Sequence, residues 1–134
     1  MFKLTLVTPE KRVVISQEID EATVPAFKGE LNILPGHAPL ITTLVPGVIK
    51  YKIKGGKDFK ASISWGYLNV SPEGLNVLAE TVETQDEINF AESKAEVKNI
   101  EKRLTTETVD DETYRHLQEK LAHEKARQLL ENLK

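Results

Sequence analysis

A β-sandwich followed by an antiparallel helical hairpin is the fold this sequence predicts, and three observations predict it. All seven glycines and all six prolines lie between residues 9 and 74, and none lies in residues 85–134. The turn-rich part alternates apolar and polar residues between turn signals at roughly eight- to twelve-residue spacing, the pattern of an all-β sandwich. The turn-free part carries apolar residues at helical spacing. Charge divides at the same point. Residues 1–84 hold nine basic and nine acidic side chains, and residues 85–134 hold nine basic and twelve acidic, which supplies the whole net charge of −3. The expected units are a docking sandwich over 1–84 and a two-helix hairpin over 85–134.

The elements follow in order. Phe2, Leu4 and Leu6 alternate with Lys3, Thr5 and Val7 until Thr8-Pro9 closes the first strand. Arg12 to Ser16 predicts a second strand and Glu18 to Pro25 a third. Leu31 to Leu34 is a very short strand, and Pro39 to Leu44 and Val48 to Ile53 follow. Lys54-Gly55-Gly56-Lys57 is a hairpin signal, since Gly-Gly suits the primed turns. Phe59, Ala61, Ile63 and Trp65 alternate cleanly, with Phe59 and Trp65 as core candidates. Gly66 then interrupts, marking a bulge or close packing, before Tyr67 to Val70 resumes the strand. Ser71-Pro72-Glu73-Gly74 is a turn, and Leu75 to Ala79 is the last strand. The total is about ten short strands.

Thr84 to Glu87 reads as a capping box opening a helix that runs to about Leu104. Its apolar face is thin: Ile88, Ala91 and Ala95, with Phe90, Val97, Ile100 and Leu104 offset. Thr105 to Val109 is a poor helix segment. Acid at Asp110, Asp111 and Glu112 favours the start of a second helix. That helix carries Tyr114, Leu117, Leu121, Ala122, Ala126, Leu129, Leu130 and Leu133 on one stripe. Alanines 91, 95, 122 and 126 are expected to let the two backbones come close. With one thin apolar stripe each, the helices need the sandwich or another protein to cover what remains.

Composition narrows the function. There is no cysteine, hence no disulfide frame and no thiolate metal site. A pI near 5.7 argues against nucleic acid or an anionic membrane surface as the main partner. No apolar run approaches the roughly 18 residues of a membrane span. Met1-Phe2-Lys3 leads straight into a strand pattern, so no signal peptide is expected. Of the three histidines, His116 and His123 stand seven apart on one helix, where zinc would need further ligands and an i,i+4 pair. Gly55-Gly56-Lys57 lacks the earlier glycine and the Ser or Thr of a phosphate loop.

The chain is organised around Lys28-Gly29-Glu30-Leu31-Asn32-Ile33-Leu34-Pro35-Gly36-His37-Ala38-Pro39-Leu40. Pro35-Gly36 is a strong turn signal, and Pro39 biases Ala38 towards extended backbone. Such a stretch holds a rigid surface corner, suited to docking a partner. His37 has no Ser, Cys or Asp nearby in sequence to complete a catalytic constellation, so a hydrolase built on it is disfavoured.

These residues carry a resemblance. Gly29 to Leu40 closely resembles the G-E-x-x-I-L-P-G-H-x-P-L signature of the ε subunit of F-type ATP synthase. Leu6-Val7-Thr8-Pro9 resembles the family's V-T-P start. Gly66 to Val70 resembles its G-G-[FY]-x-x-V strand, with Trp65 replacing the first glycine. The resemblance spans sandwich and hairpin. It implies a non-catalytic rotor subunit of the central stalk, seated on the γ subunit and on the c-ring loops. It places Glu30 towards the c-ring loops and His37, with Pro35 and Gly36, near γ. It also implies a hairpin that folds on the sandwich or opens along γ towards a β subunit, blocking rotation in the hydrolysis direction. Arg115, Lys120, Lys125 and Arg127 would then pair with acids of β. Some members of the family bind ATP through an I-D-x-x-R-A motif. Here Ile88-Asn89-Phe90-Ala91-Glu92-Ser93 puts Asn89 for the acid and Glu92 for the arginine, so weak or absent ATP binding and no cofactor are expected. The absence of a targeting segment suits the cytoplasmic face of a bacterial plasma membrane better than the stromal face of a thylakoid. The alternative is a free-standing β-sandwich adaptor or ligand-binding module.

Overall fold

The computed structural model describes residues 2–132. Nine strands come first: β1 (Lys3–Val7), β2 (Arg12–Ala26), β3 (Gly29–Ile33), β4 (Leu40–Leu44), β5 (Gly47–Ile53), β6 (Lys57–Ile63), β7 (Gly66–Ser71), β8 (Gly74–Ala79) and β9 (Val82–Glu83). A 3-10 turn, Gln85–Glu87, leads to α1 (Phe90–Thr106) and α2 (Asp111–Asn132).

The strands fold over into two layers that share β2. The first half of β2 pairs with β1, which continues through a parallel pairing to β8 and then to β7 and β4. The second half pairs with β3 and β5, and β6 and β9 extend that layer. A last contact, Ala26 opposite Leu44, returns the first layer to the end of β2. Alternation then sends every second side chain inward. Leu4, Leu6, Leu44, Leu68, Val70, Leu75 and Val77 from one layer meet Ile19, Ala22, Val24, Ile33, Ile49 and Ile63 from the other in one core.

The sandwich has nine strands, and the second and third expected strands are one. At Ser16 the chain takes φ +50°, and the Ser16 N–H, displaced from the ladder, donates to the Thr5 hydroxyl at 3.2 Å. The irregularity is absorbed as register shifts in the pairing with β1, so the strand bends without ending. The strand expected to resume after Gly66 is instead a new one. At Ser64-Trp65 the chain leaves β6 and crosses to the other layer, held by Trp65 C=O accepting from the Glu80 N–H at 2.8 Å. This crossing leaves Trp65 40 % exposed, and Phe59, near the open end of β6, 36 % exposed, so neither is a core residue. Phe59 stacks on Tyr51 with ring centroids 5.5 Å apart.

The first helix starts later than the capping box suggests. The Glu87 carboxylate does accept from the Thr84 N–H at 3.0 Å, and bonds from Thr84 and Lys11 hold its carboxyl below the usual range. That motif closes only the 3-10 turn, because Ile88 returns to extended backbone. Asn89 is the true cap of α1, its side-chain oxygen accepting from the Glu92 N–H at 3.1 Å. Thr105 and Thr106 bond their hydroxyls back to the Glu101 and Lys102 carbonyls and stay helical. Asp110 caps α2 by accepting from the Thr113 N–H at 2.9 Å, and bonds from the Thr113 side chain and backbone hold its carboxyl below the usual range.

The helices meet through Val97, Ile100 and Leu104 on α1 and Leu117 and Leu121 on α2. Ala91 and Ala95 are exposed, so the close approach expected of them does not occur. The residue turned inward in that part of α1 is Ser93, which donates to the buried Glu124 at 2.6 Å. Ala126 and Leu130 are buried as expected, Tyr114 and Leu129 are half exposed, and Leu133 lies outside the described residues.

At Gly66 a side chain would strike the backbone of the neighbouring strand β8. A Cβ there would lie 2.1 Å from the Leu78 carbonyl oxygen and 2.8 Å from Ala79 Cα. Backbone cannot swing aside as a flexible side chain can, so Gly66→Ala is expected to cost about 3 kcal/mol. A urea unfolding midpoint equal to that of the parent would contradict this.

Candidate functional site

The signature stretch folds as the sequence predicts. Leu34 to His37 form a turn in which the Leu34 carbonyl accepts from the His37 N–H at 3.0 Å, with Gly36 at φ +89° as a type II turn requires. The His37 ring lies with Nδ1 2.7 Å from the Ala38 carbonyl, a contact that orients the imidazole against its own turn. Pro35 and Gly36 are exposed and border a groove of about 310 Å³ with Phe2, Glu18, Asp20 and Lys54. Glu30 stands opposite Pro25 at the other end of β3. The short strand therefore separates the Glu30 rim from the Pro35–His37 turn by about 15 Å at strand rise, and they are two separate surface features.

The other layer carries a surface that sequence reading did not single out. Ile41, Tyr67 and Leu78 are 76 %, 60 % and 46 % exposed. Their strands are adjacent, with Tyr67 directly opposite Thr43 on one side and Leu78 on the other. Phe27, 70 % exposed, joins this face because its N–H donates to the Thr43 carbonyl at 3.1 Å. Trp65 borders it at the crossing. The outer face of β4, β7 and β8 is thus an apolar patch rimmed by polar Asn69 and Asn76, the signature of a surface made for a partner.

The hairpin covers the opposite layer. Val48 of β5, Ile88 and Leu130 form a small buried cluster, with Phe90 against it. Beside it a polar fork closes the joint. Arg127 donates from Nε and Nη2 to the two Glu83 oxygens at 2.9 and 2.8 Å, and from Nη1 to Glu124 at 2.7 Å. Burial works against the charge of Arg127, but the bonds to Glu83 and the fields of Glu83 and Glu124 outweigh it and raise its pKa. His123 approaches Glu83 at 3.3 Å and is half-buried, whereas His116 is exposed. Of the four cations expected to reach a partner, Arg127 is engaged in this fork and Lys120 bonds Glu96 at 2.9 Å. Arg115 and Lys125 are exposed. The fork joins residues 44 apart and has no local signal.

A groove of about 400 Å³ opens where α1 and α2 leave the sandwich. Glu83, Glu87, Glu92, Glu96 and Glu124 line it against Lys120 and Arg127, five carboxylates to two cations. Both cations are already paired. Among the described residues, no three His, Cys, Asp or Glu come together as a metal site, and no helix is long and apolar enough to cross a membrane.

Residues 1–85 match the family described as ATP synthase, Delta/Epsilon chain, beta-sandwich domain. The ATP synthase epsilon chain of Bdellovibrio bacteriovorus is 54 % identical over 126 residues, covering 93 % of this chain and 90 % of the relative. ATP synthase epsilon chain 2 of Syntrophotalea carbinolica is 41 % identical, covering 87 % of this chain and 83 % of the relative. Among solved structures, a chain of the Euglena gracilis mitochondrial ATP synthase (OSCP/F1/c-ring, rotational state 1) shares the fold. It has a TM-score of 0.84 at 19 % identity, over 95 % of this chain and 79 % of that one. A chain of the Tetrahymena thermophila mitochondrial ATP synthase central stalk and c-ring matches with a TM-score of 0.62 at 14 % identity, over 98 % and 95 %. By family match and by identity over nearly its whole length, this chain belongs to the ATP synthase epsilon-chain family, whose members are non-catalytic subunits of that complex.

Proposed function

We propose that this epsilon chain works in the central stalk, coupling rotation of the catalytic sector to the membrane ion ring. The observation that carries this reading is the uncovered apolar face of β4, β7 and β8 beside the signature corner. An apolar patch of this kind on a chain that belongs to a multisubunit family calls for a permanent neighbour. The γ subunit is assigned to this face and to the Pro35–His37 turn. The loops of the c-ring are assigned to the Glu30 rim, where an exposed carboxylate offers a polar contact. In a bacterial cell the subunit would lie on the cytoplasmic face of the plasma membrane.

The hairpin is read as a second, separable unit over residues 85–134. Its buried apolar joint to the sandwich is Val48, Ile88 and Leu130, each worth about 1.5–3 kcal/mol when fully buried. The sandwich core is far larger, with eighteen buried residues among those described. The joint is therefore the place where the molecule opens at least cost. A lifted hairpin would release Arg127 from Glu83 and present it, with Arg115, Lys120 and Lys125, to acidic groups of a β subunit, restraining hydrolysis. The groove at the joint, rich in carboxylates, repels the phosphates of a nucleotide.

Three outcomes are expected. In the isolated subunit, Ile41→Asp with Tyr67→Ala should weaken capture by γ by tenfold or more, about 1.4 kcal/mol, while the folded sandwich keeps its circular dichroism; undiminished capture would move the γ contact elsewhere. Removing residues 85–134 in the assembled complex should leave coupling intact and raise ATP hydrolysis. Unchanged hydrolysis would remove the inhibitory role. Calorimetric titration with ATP should show no binding at micromolar concentrations, and a micromolar Kd would overturn the electrostatic argument.

A further inference from the structure

Ser62 sits on β6 directly opposite Val48 of β5 and Glu83 of β9. Val48 is the sandwich residue that Leu130 covers, and Glu83 is the one that Arg127 holds, so Ser62 lies on the face beneath α2. It is 1 % exposed. Its hydroxyl is the buried side-chain polar atom with no hydrogen-bond partner among the described residues. Two residues on, Ser64 is equally buried but satisfied: its oxygen accepts from the Thr81 N–H at 2.9 Å and from the Thr81 hydroxyl at 3.0 Å. Within three residues the chain thus carries two buried serines of opposite energetic sign.

A hydroxyl shut away from water without a partner raises the free energy of the state that buries it. Water can reach Ser62 when α2 is lifted, and no described residue satisfies it when α2 is down. We propose that Ser62 is a built-in penalty on the docked hairpin, opposing the Arg127–Glu83 fork and keeping the joint reversible. The inference rests on the reading of the hairpin as a unit that lifts. In a two-state element the penalty acts directly on the population ratio, because only the docked state bears it.

The test is hydrogen exchange on the whole purified subunit, comparing the parent with Ser62→Ala and Ser64→Ala. Ser62→Ala should slow exchange of the α2 amides about tenfold while β1 and β8 keep their rates. Ser64→Ala should not slow it, since it leaves the Thr81 N–H without its acceptor. If α2 opens separately from the sandwich but Ser62→Ala leaves its exchange unchanged or faster, the role of Ser62 is refuted and the lifting hairpin stands. If in the parent α2 exchanges only as fast as the sandwich strands, no lifted state exists, and both ideas fall together.

Discussion

The rest of the molecule depends on β2. This one strand of fifteen residues pairs with β1, β3, β4 and β5. Its bend at Ser16 lets a single run of backbone serve both layers, so the sandwich is a folded-over circuit and not two stacked sheets. Closing the circuit leaves the outer faces to be covered by something else. One receives the hairpin, and the other presents Ile41, Tyr67 and Leu78 to its surroundings.

The two coverings differ in kind. The hairpin joint mixes three apolar side chains with a charged fork and an orphan hydroxyl, a combination of modest gains and a standing loss. Arg127 bridges a carboxylate of the sandwich and a carboxylate of its own helix, so one guanidinium ties α2 to the sandwich. Glu124, buried between the helices, pairs with that arginine from within the same helix, so the guanidinium is not a bare buried charge.

Much of this was legible in the residues. Pro35-Gly36 dictates its turn because the ring fixes one φ and the glycine alone accepts the next, and neither depends on tertiary contacts. Gly55-Gly56 is legible for the same reason. The merging of two expected strands into β2 was not, because the pairing partner that carries the chain across Ser16 is β1, and pairing is not local. Phe59 and Trp65 alternate as core residues do, yet alternation shows that two faces differ and cannot show where the covering ends. The apolar face had the same obstacle: Ile41, Tyr67 and Leu78 lie on three strands and become one surface only through registers set by the fold. Ala91 and Ala95 misled because small residues permit close approach without requiring it, and Ser93 supplied a hydrogen bond instead.

The parallel pairing of β1 with β8 bears on how the chain is made. Lys3 lies opposite Gly74 and Val7 opposite Leu78, so the first strand synthesised waits for one of the last. During translation the sandwich stays open at that seam until about residue 79 has left the ribosome, a long-range closure that folds slowly. By then the hairpin is emerging as a separate piece, and it meets a finished wall. Its seat on β5 and β6 is therefore filled after the strands it covers have been laid down.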